Sequence, residues 1–284
     1  MNKSTLQRQR FLGPNSDDIL GRSRIGVVGL GGGGSHIAQQ LGHVGIGHFV
    51  LYDSQSLDET NLNRVVGGTE KDVSHAIAKV SIARRVINSI NPHAEITEVQ
   101  GLWQTQPEPL RDCDVIFGCV DTYQGREQLE RFARRCLIPY IDIGMDVHAI
   151  DGGFSISGQI ALSLPSRPCL WCMGVLYEAL LAEEASQYGA GGGRAQVVWS
   201  NGILASTAVG LFIQLVAPWH TQQVLPILLE YDGNTHAVNS SRKERILRRM
   251  KCTHYTADLG DPFFTLTSQG DLNGDQNYVY DKSA

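Results

Sequence analysis

Between Ala195 and Leu229 the sequence has no Asp, Glu, Lys or Arg. Ser200, Asn201, Ser206, Thr207, Gln214, Pro218, His220 and Gln222 interrupt that stretch, so no clean run of about twenty apolar residues accumulates. The pattern predicts a buried core helix and no membrane span. Cysteine is scarce: six in 284 residues do not make a disulfide scaffold. The opening segment MNKSTLQRQRFLGPNSDD has no apolar stretch, so no signal peptide is expected and a cytoplasmic location is. A basic surplus is missing too. The net charge is −5, and Asp258–Ala284, with five Asp against one Lys, carries −4 of it. The near-neutral remainder excludes a dedicated nucleic-acid binder.

What is present is an alternation of strand and helix. Arg24–Leu30, His48–Asp53, Glu95–Val99, Asp114–Val120 and Pro139–Ile143 read as short apolar strands. Helical spacing separates them: one helix begins over Ser35–Leu41, another spans Asp72–Ile90, with Val73, Ile77, Val80, Ile87 and Ile90 on one face, and a third spans Gly125–Cys136. This pattern predicts an α/β protein with a Rossmann-like, doubly wound, mainly parallel sheet. After Gly144 the texture changes. Val147–Leu164 alternates around Asp151-Gly152-Gly153 and predicts an antiparallel extension. A helix over Leu176–Ser186, a loop over Tyr188–Arg194, a helix over Gly202–Val216, a strand over Pro226–Asp232 and a basic helix over Ser241–Lys251 follow. The division expected is an arm over residues 1–23, a nucleotide-binding half over 24–144, the rest of the same domain over 145–255, and a disordered acidic tail over 256–284.

The chemistry is concentrated at the ends of the strands. Gly29-Leu30-Gly31-Gly32-Gly33-Gly34 follows the first strand and opens a helix, with G-x-G-x-x-G spacing through Gly29, Gly31 and Gly34. Glycines there permit a tight turn, and the helix N–H groups then face a phosphate. Asp53 ends the next strand, where a carboxylate takes the hydroxyls of a ribose. NAD, FAD and ATP all share that adenosine. Arg64, in Asn61-Leu62-Asn63-Arg64, lies eleven residues past Asp53, and Lys79 and Asp121 follow. Two cations and a carboxylate around one nucleotide crevice suit a triphosphate with magnesium, Asp121 holding the metal.

In this ordered series the stretch Arg24–Asp121 resembles the ThiF/MoeB/HesA superfamily, the adenylating enzymes of sulfur-carrier and ubiquitin-like proteins. The similarity continues through Gly158–Ile160, the C-x-x-C at Cys169 and Cys172, and Leu228–Gly233. It implies that Asp53 binds the ribose, Arg64 and Lys79 the phosphates, and Asp121 the magnesium of ATP. It implies a homodimer in which Arg8, of Arg8-Gln9, reaches the partner subunit's site, with Arg10 as a second choice. The expected partners are a small ubiquitin-like or sulfur-carrier protein and a downstream conjugating enzyme or sulfurtransferase. Three departures stand out. Val65 follows Arg64 where relatives have Gln, two extra residues precede Lys79, and the stretch Gly189–Gly202 has none of the cysteine that forms a thioester in relatives. Relatives also close a four-thiolate zinc site near the C-terminus. Here Cys252-Thr253-His254-Tyr255 offers Cys169, Cys172, Cys252 and His254, with a gap one residue shorter than usual. An NAD- or FAD-dependent oxidoreductase, an adenylating enzyme for a peptide or tRNA-linked carboxylate, and a silent partner subunit are the other readings the residues allow.

Overall fold

The apolar runs become the strands of one sheet. The computed structural model describes residues 5–186, 195–217, 219 and 225–255. In chain order its elements are α1 (Ser16–Arg22), β1 (Arg24–Val28), α2 (Gly32–Val44), β2 (His48–Asp53), α3 (Glu70–Ser74), α4 (Lys79–Ile90) and β3 (Glu95–Gln100). Then come β4 (Val115–Gly118), α5 (Tyr123–Arg135), β5 (Tyr140–Ile150), β6 (Gly153–Ser163), α6 (Leu170–Met173) and α7 (Glu178–Ser186). The described chain ends with α8 (Val198–Val216), β7 (Leu228–Asp232), β8 (Ala237–Ser240) and α9 (Glu244–Leu247).

The eight strands form a single sheet in the order β3-β2-β1-β4-β5-β6-β7-β8. The first five run parallel and the last three join antiparallel, as the change of texture predicts. The order reverses at β1, where the chain steps first to β2 and later to β4. Ligands in open α/β sheets bind at such a switch point, outside the carboxyl ends of the strands. Both faces are covered. Ile37, Leu41, Ile87 and Phe212 of α2, α4 and α8 pack with Val27, Leu51 and Phe117 of the sheet, while Leu129 and Phe132 of α5 and Leu170 of α6 pack on the other face with Ile116 and Tyr140. Helix α8 is apolar and long enough to cross a membrane, and it lies against α2 and β5.

Four expectations change. The helix over Asp72–Ile90 is two helices, because Ala76 takes a left-handed conformation (φ 47°) and Ile77 and Lys79 bond to Leu57 and Gln55 across the gap. The two extra residues before Lys79 fall in this break. β4 stops at Gly118, so Asp121 stands in the loop three residues beyond the strand. α8 begins at Val198, four residues early. The basic segment forms only the single turn α9. β5 and β6 run to a turn at Asp151 and Gly152, and β5 crosses residue 144 without interruption. The loop expected over Tyr188–Arg194 and the acidic tail lie outside the described residues.

Candidate nucleotide site

Two backbone contacts require glycine at the switch point. Gly29 has φ +87°, and a Cβ there would sit 2.6 Å from the carbonyl oxygen of Cys119, so the turn after β1 touches the loop after β4. A Cβ on Gly34 would lie 1.8 Å from the carbonyl oxygen of Gly29. The turn therefore folds onto the first turn of α2. Gly32, Gly33 and Gly34 are already helical, so the helix starts three residues before the sequence reading places it. Among the described residues no side chain caps α2, and its first N–H groups lie at the carboxyl edge of the sheet.

Asp53 is tied to this turn. Its Oδ2 accepts from Leu30 N at 2.7 Å and its Oδ1 from Gln55 N at 2.8 Å. A carboxylate offers about four lone-pair positions, so hydroxyl donors from a ribose add to these bonds without displacing them. Gln55 carries the connection onward: its carbonyl accepts from Lys79 N at 3.1 Å and its Oε1 from Lys79 Nζ at 2.7 Å. The series Leu30–Asp53–Gln55–Lys79 thus links the glycine turn to the start of α4.

Lys79 is 3% exposed and is the first residue of its helix. Burial disfavours an ammonium, and the helix dipole disfavours a cation at this end. Among the described residues no carboxylate pairs with it, and its side-chain bond is to a neutral amide. Arg64 is similar. Its guanidinium donates to the carbonyl of Thr60, to Asn63 Oδ1 at 3.1 Å and to Asn61 Oδ1 at 3.4 Å, and Asp58 and Glu59 do not pair with it. Asn61 is buried and orients Arg64, while Ser35 Oγ accepts from Val66 N at 3.0 Å and fixes the loop to α2. Asp121 is exposed in the loop that Gly29 touches.

The structure therefore gathers Gly29–Gly34, Asp53, Asn61, Arg64, Lys79 and Asp121 at one edge. Arg8 is elsewhere. Gln9 donates to the carbonyl of Val44 at 3.0 Å, the far end of α2, and leaves Arg8 exposed there. Thirteen residues of helix separate it from the glycine turn, about 20 Å. Sequence reasoning missed Gln55, Ser35 and Asn201. Asn201 packs on the glycine turn, its Nδ2 2.4 Å from where a Gly32 Cβ would lie. Only Ser35, adjoining the glycines, carried a local signal.

The cysteines divide into two groups. Cys113, Cys119 and Cys136 lie against the strands and α5, and burial pushes all three thiols up, Cys113 to about 12. Cys169, Cys172, Cys252 and His254 converge on the α5 side, their ligand atoms all within 4.8 Å of one another. Cys169 Sγ lies 3.6 Å from Cys172 Sγ, and His254 Nδ1 lies 3.5 and 3.4 Å from these sulfurs. Tetrahedral zinc with ordinary Zn–S and Zn–N bonds requires edges of about 3.6–3.8 Å. The Cys169, Cys172 and His254 edges come close to this, and the one-residue gap between Cys252 and His254 still leaves Cys252 Sγ within 4.8 Å of the other three. Burial alone would raise the Cys252 thiol, but N–H groups of Tyr255 and His254, with Cys169 and Arg134, together bring it down. Tyr255, at the position of a fourth cysteine in relatives, points its hydroxyl at Glu130 (3.3 Å), whose other oxygen accepts from Leu170 N at 2.9 Å. The whole set therefore clamps α5 to α6. Purified chain is expected to carry about one zinc, and Cys169→Ser to lose it with a fall in Tm of several degrees, measured by elemental analysis and thermal unfolding. Metal-free wild type with an unchanged Tm would contradict this.

The fold is an α/β protein of the doubly wound type, with the glycine turn, Asp53, Arg64 and Lys79 gathered at the switch point of its sheet. The chain belongs to the ThiF family, whose profile matches residues 4–253. The molybdopterin-synthase adenylyltransferase of Escherichia coli (strain K12) is 28% identical over 177 residues, 60% of this chain and 67% of the relative. The ubiquitin-like modifier-activating enzyme 5 of Dictyostelium discoideum is 27% identical over 213 residues, 69% of this chain and 52% of the relative. Across the curated relatives compared, the chain spans from 34% to 67% of their length. Among solved structures, E. coli MccB with ATP superposes with a TM-score of 0.68 at 19% identity over 84% of this chain and 71% of that one, a likeness of fold.

Proposed function

We propose that this chain is an ATP-dependent adenylyltransferase that activates the C-terminal carboxylate of a small ubiquitin-like or sulfur-carrier protein. The observation that carries the reading is the buried Lys79 ammonium, unmatched by any described carboxylate and joined through Gln55 and Asp53 to the glycine turn. A nicotinamide or flavin diphosphate needs the turn and Asp53 but gives no reason for Lys79 and Arg64. The adenylyltransferase and activating-enzyme names of the relatives support the same choice.

In this mechanism a carboxylate oxygen of the carrier attacks the α-phosphorus of ATP. The bond to the β-phosphate bridging oxygen breaks, giving an acyl adenylate and pyrophosphate. Lys79 and Arg64 neutralise charge on the phosphates, and the α2 N–H groups hold them in line. Asp121 would hold magnesium, which when bound shields the charge of the leaving pyrophosphate. Arg8, far from its own glycine turn, would serve the site of a second copy in a homodimer. The product then passes to a conjugating enzyme or a sulfurtransferase without a thioester on this chain.

Asp53→Ala is expected to raise the KM for ATP about tenfold or more, since ribose contacts are equal in ground and transition states, with kcat at saturating ATP changed less than about threefold. Pyrophosphate exchange with a candidate carrier measures both. A large loss of kcat at saturating ATP would contradict the ribose assignment.

A further inference from the structure

Two helices, α2 and α5, begin at the carboxyl edge beside the switch point, and their starts are treated oppositely. Among the described residues α2 carries no side-chain cap. At α5 all of the first four N–H groups have acceptors. Tyr123 N donates to Glu184 Oε1 and Gln124 N to Glu184 Oε2, both at 2.9 Å. Gly125 N donates to Thr122 Oγ1 and Arg126 N to the Thr122 carbonyl, both at 3.1 Å. Glu184 comes from α7, sixty-one residues beyond Tyr123, and is half-buried where Glu183 beside it is exposed. A carboxylate bridging two adjacent N–H groups at a helix start combines charge-assisted bonds with a favourable dipole. That start is closed to phosphate, so the nucleotide's phosphates belong at α2.

The same clamp bears on Asp121. Its loop is fixed at one end by Cys119 N, which donates to the carbonyl of Val28 at 2.8 Å, and at the other by the Glu184 bonds, the first only two residues past Asp121. We propose that Glu184 is a positioning residue for Asp121, holding its carboxylate where magnesium–ATP needs it through the backbone of Tyr123 and Gln124. This rests on the assignment of Asp121 to the metal given above. The sequence separation hides the role, because nothing in the α7 segment resembles a nucleotide motif.

The test uses the full chain, ATP and magnesium, with no carrier. Calorimetry gives the affinity for ATP in EDTA and in magnesium, and their ratio is the metal-dependent gain. Glu184→Ala is expected to cut that gain about five- to tenfold and to leave affinity in EDTA unchanged. Glu184→Gln, which keeps the volume and one acceptor, should recover part of it. In an Asp121→Ala background Glu184→Ala should have no further effect, the signature of one residue acting through the other. Equal losses in EDTA and in magnesium, or additive losses in the double variant, would overturn the proposal. A gain that Asp121→Ala removes and Glu184→Ala leaves intact refutes Glu184 alone. No gain in wild type would refute the metal assignment itself, and this inference with it.

Discussion

Lys79→Ala is expected to lower carrier-dependent pyrophosphate exchange about 10³-fold and, without nucleotide, to leave Tm unchanged or raised. Both halves follow from one arrangement. The ammonium is buried, sits at the end of α4 where the dipole opposes it, and bonds only to the Gln55 amide among the described residues. Removing it relieves an electrostatic cost in the free protein and deletes a phosphate contact that strengthens as charge develops on the leaving pyrophosphate. Alanine at the first position of a helix keeps the backbone unchanged. A variant that retains exchange within a few-fold of wild type would remove Lys79 from the phosphate site. A variant that lost activity only through a fall of ten degrees in Tm would make it structural.

Gly34→Ala is expected to reduce ATP affinity more than about 100-fold while the sheet still forms. The new Cβ meets the backbone carbonyl of Gly29 at 1.8 Å and the Cys119 Cβ at 3.3 Å, and neither can rotate away. The turn must open, and with it the Leu30 N–Asp53 bond and the line of α2 N–H groups. Gly31 is the control. A Cβ there meets nothing within 4 Å, so Gly31→Ala leaves the free turn undisturbed. Any loss of ATP affinity in that variant reports direct approach of the phosphates. Calorimetry on the two variants separates the shape of the turn from contact with the ligand, and wild-type affinity for Gly34→Ala would contradict the close packing.

The parallel sheet was legible because its strands are short, apolar and punctuated: glycine ends β1, Asp53 ends β2, and each is followed by helical spacing. That the glycine turn, Asp53, Arg64 and Lys79 share one edge of the sheet was legible because the turn and Asp53 stand at strand ends and the other two follow them in an ordered series. The break before Lys79 was not. Asp72 to Ile90 keeps helical period through Ala76, and only tertiary bonds from Leu57 and Gln55 pull the chain out of the helix. Glu184 and Asn201 were also hidden, since a helix position far along the chain gives no hint of which turn it will meet. The Cys/His cluster was read from residue types, but the approach of Cys252 and His254 to Cys169 and Cys172 depends on how α6 and the terminal segment meet in space.

Under the proposed function this chain makes an acyl adenylate on a carrier's carboxylate and forms no thioester of its own. Between Cys172 and Cys252 the sequence has no cysteine, Cys113, Cys119 and Cys136 have raised thiols, and the remaining three sit in the Cys/His cluster. The direct measurement incubates the chain with ATP, magnesium and a panel of small β-grasp proteins ending in glycine. Labelled pyrophosphate exchange is followed, and the products are resolved on a non-reducing gel. The expected result is exchange that depends on one of the carriers and no thiol-sensitive band of enzyme plus carrier. A thiol-sensitive covalent band that disappears when any one cysteine is replaced would contradict it.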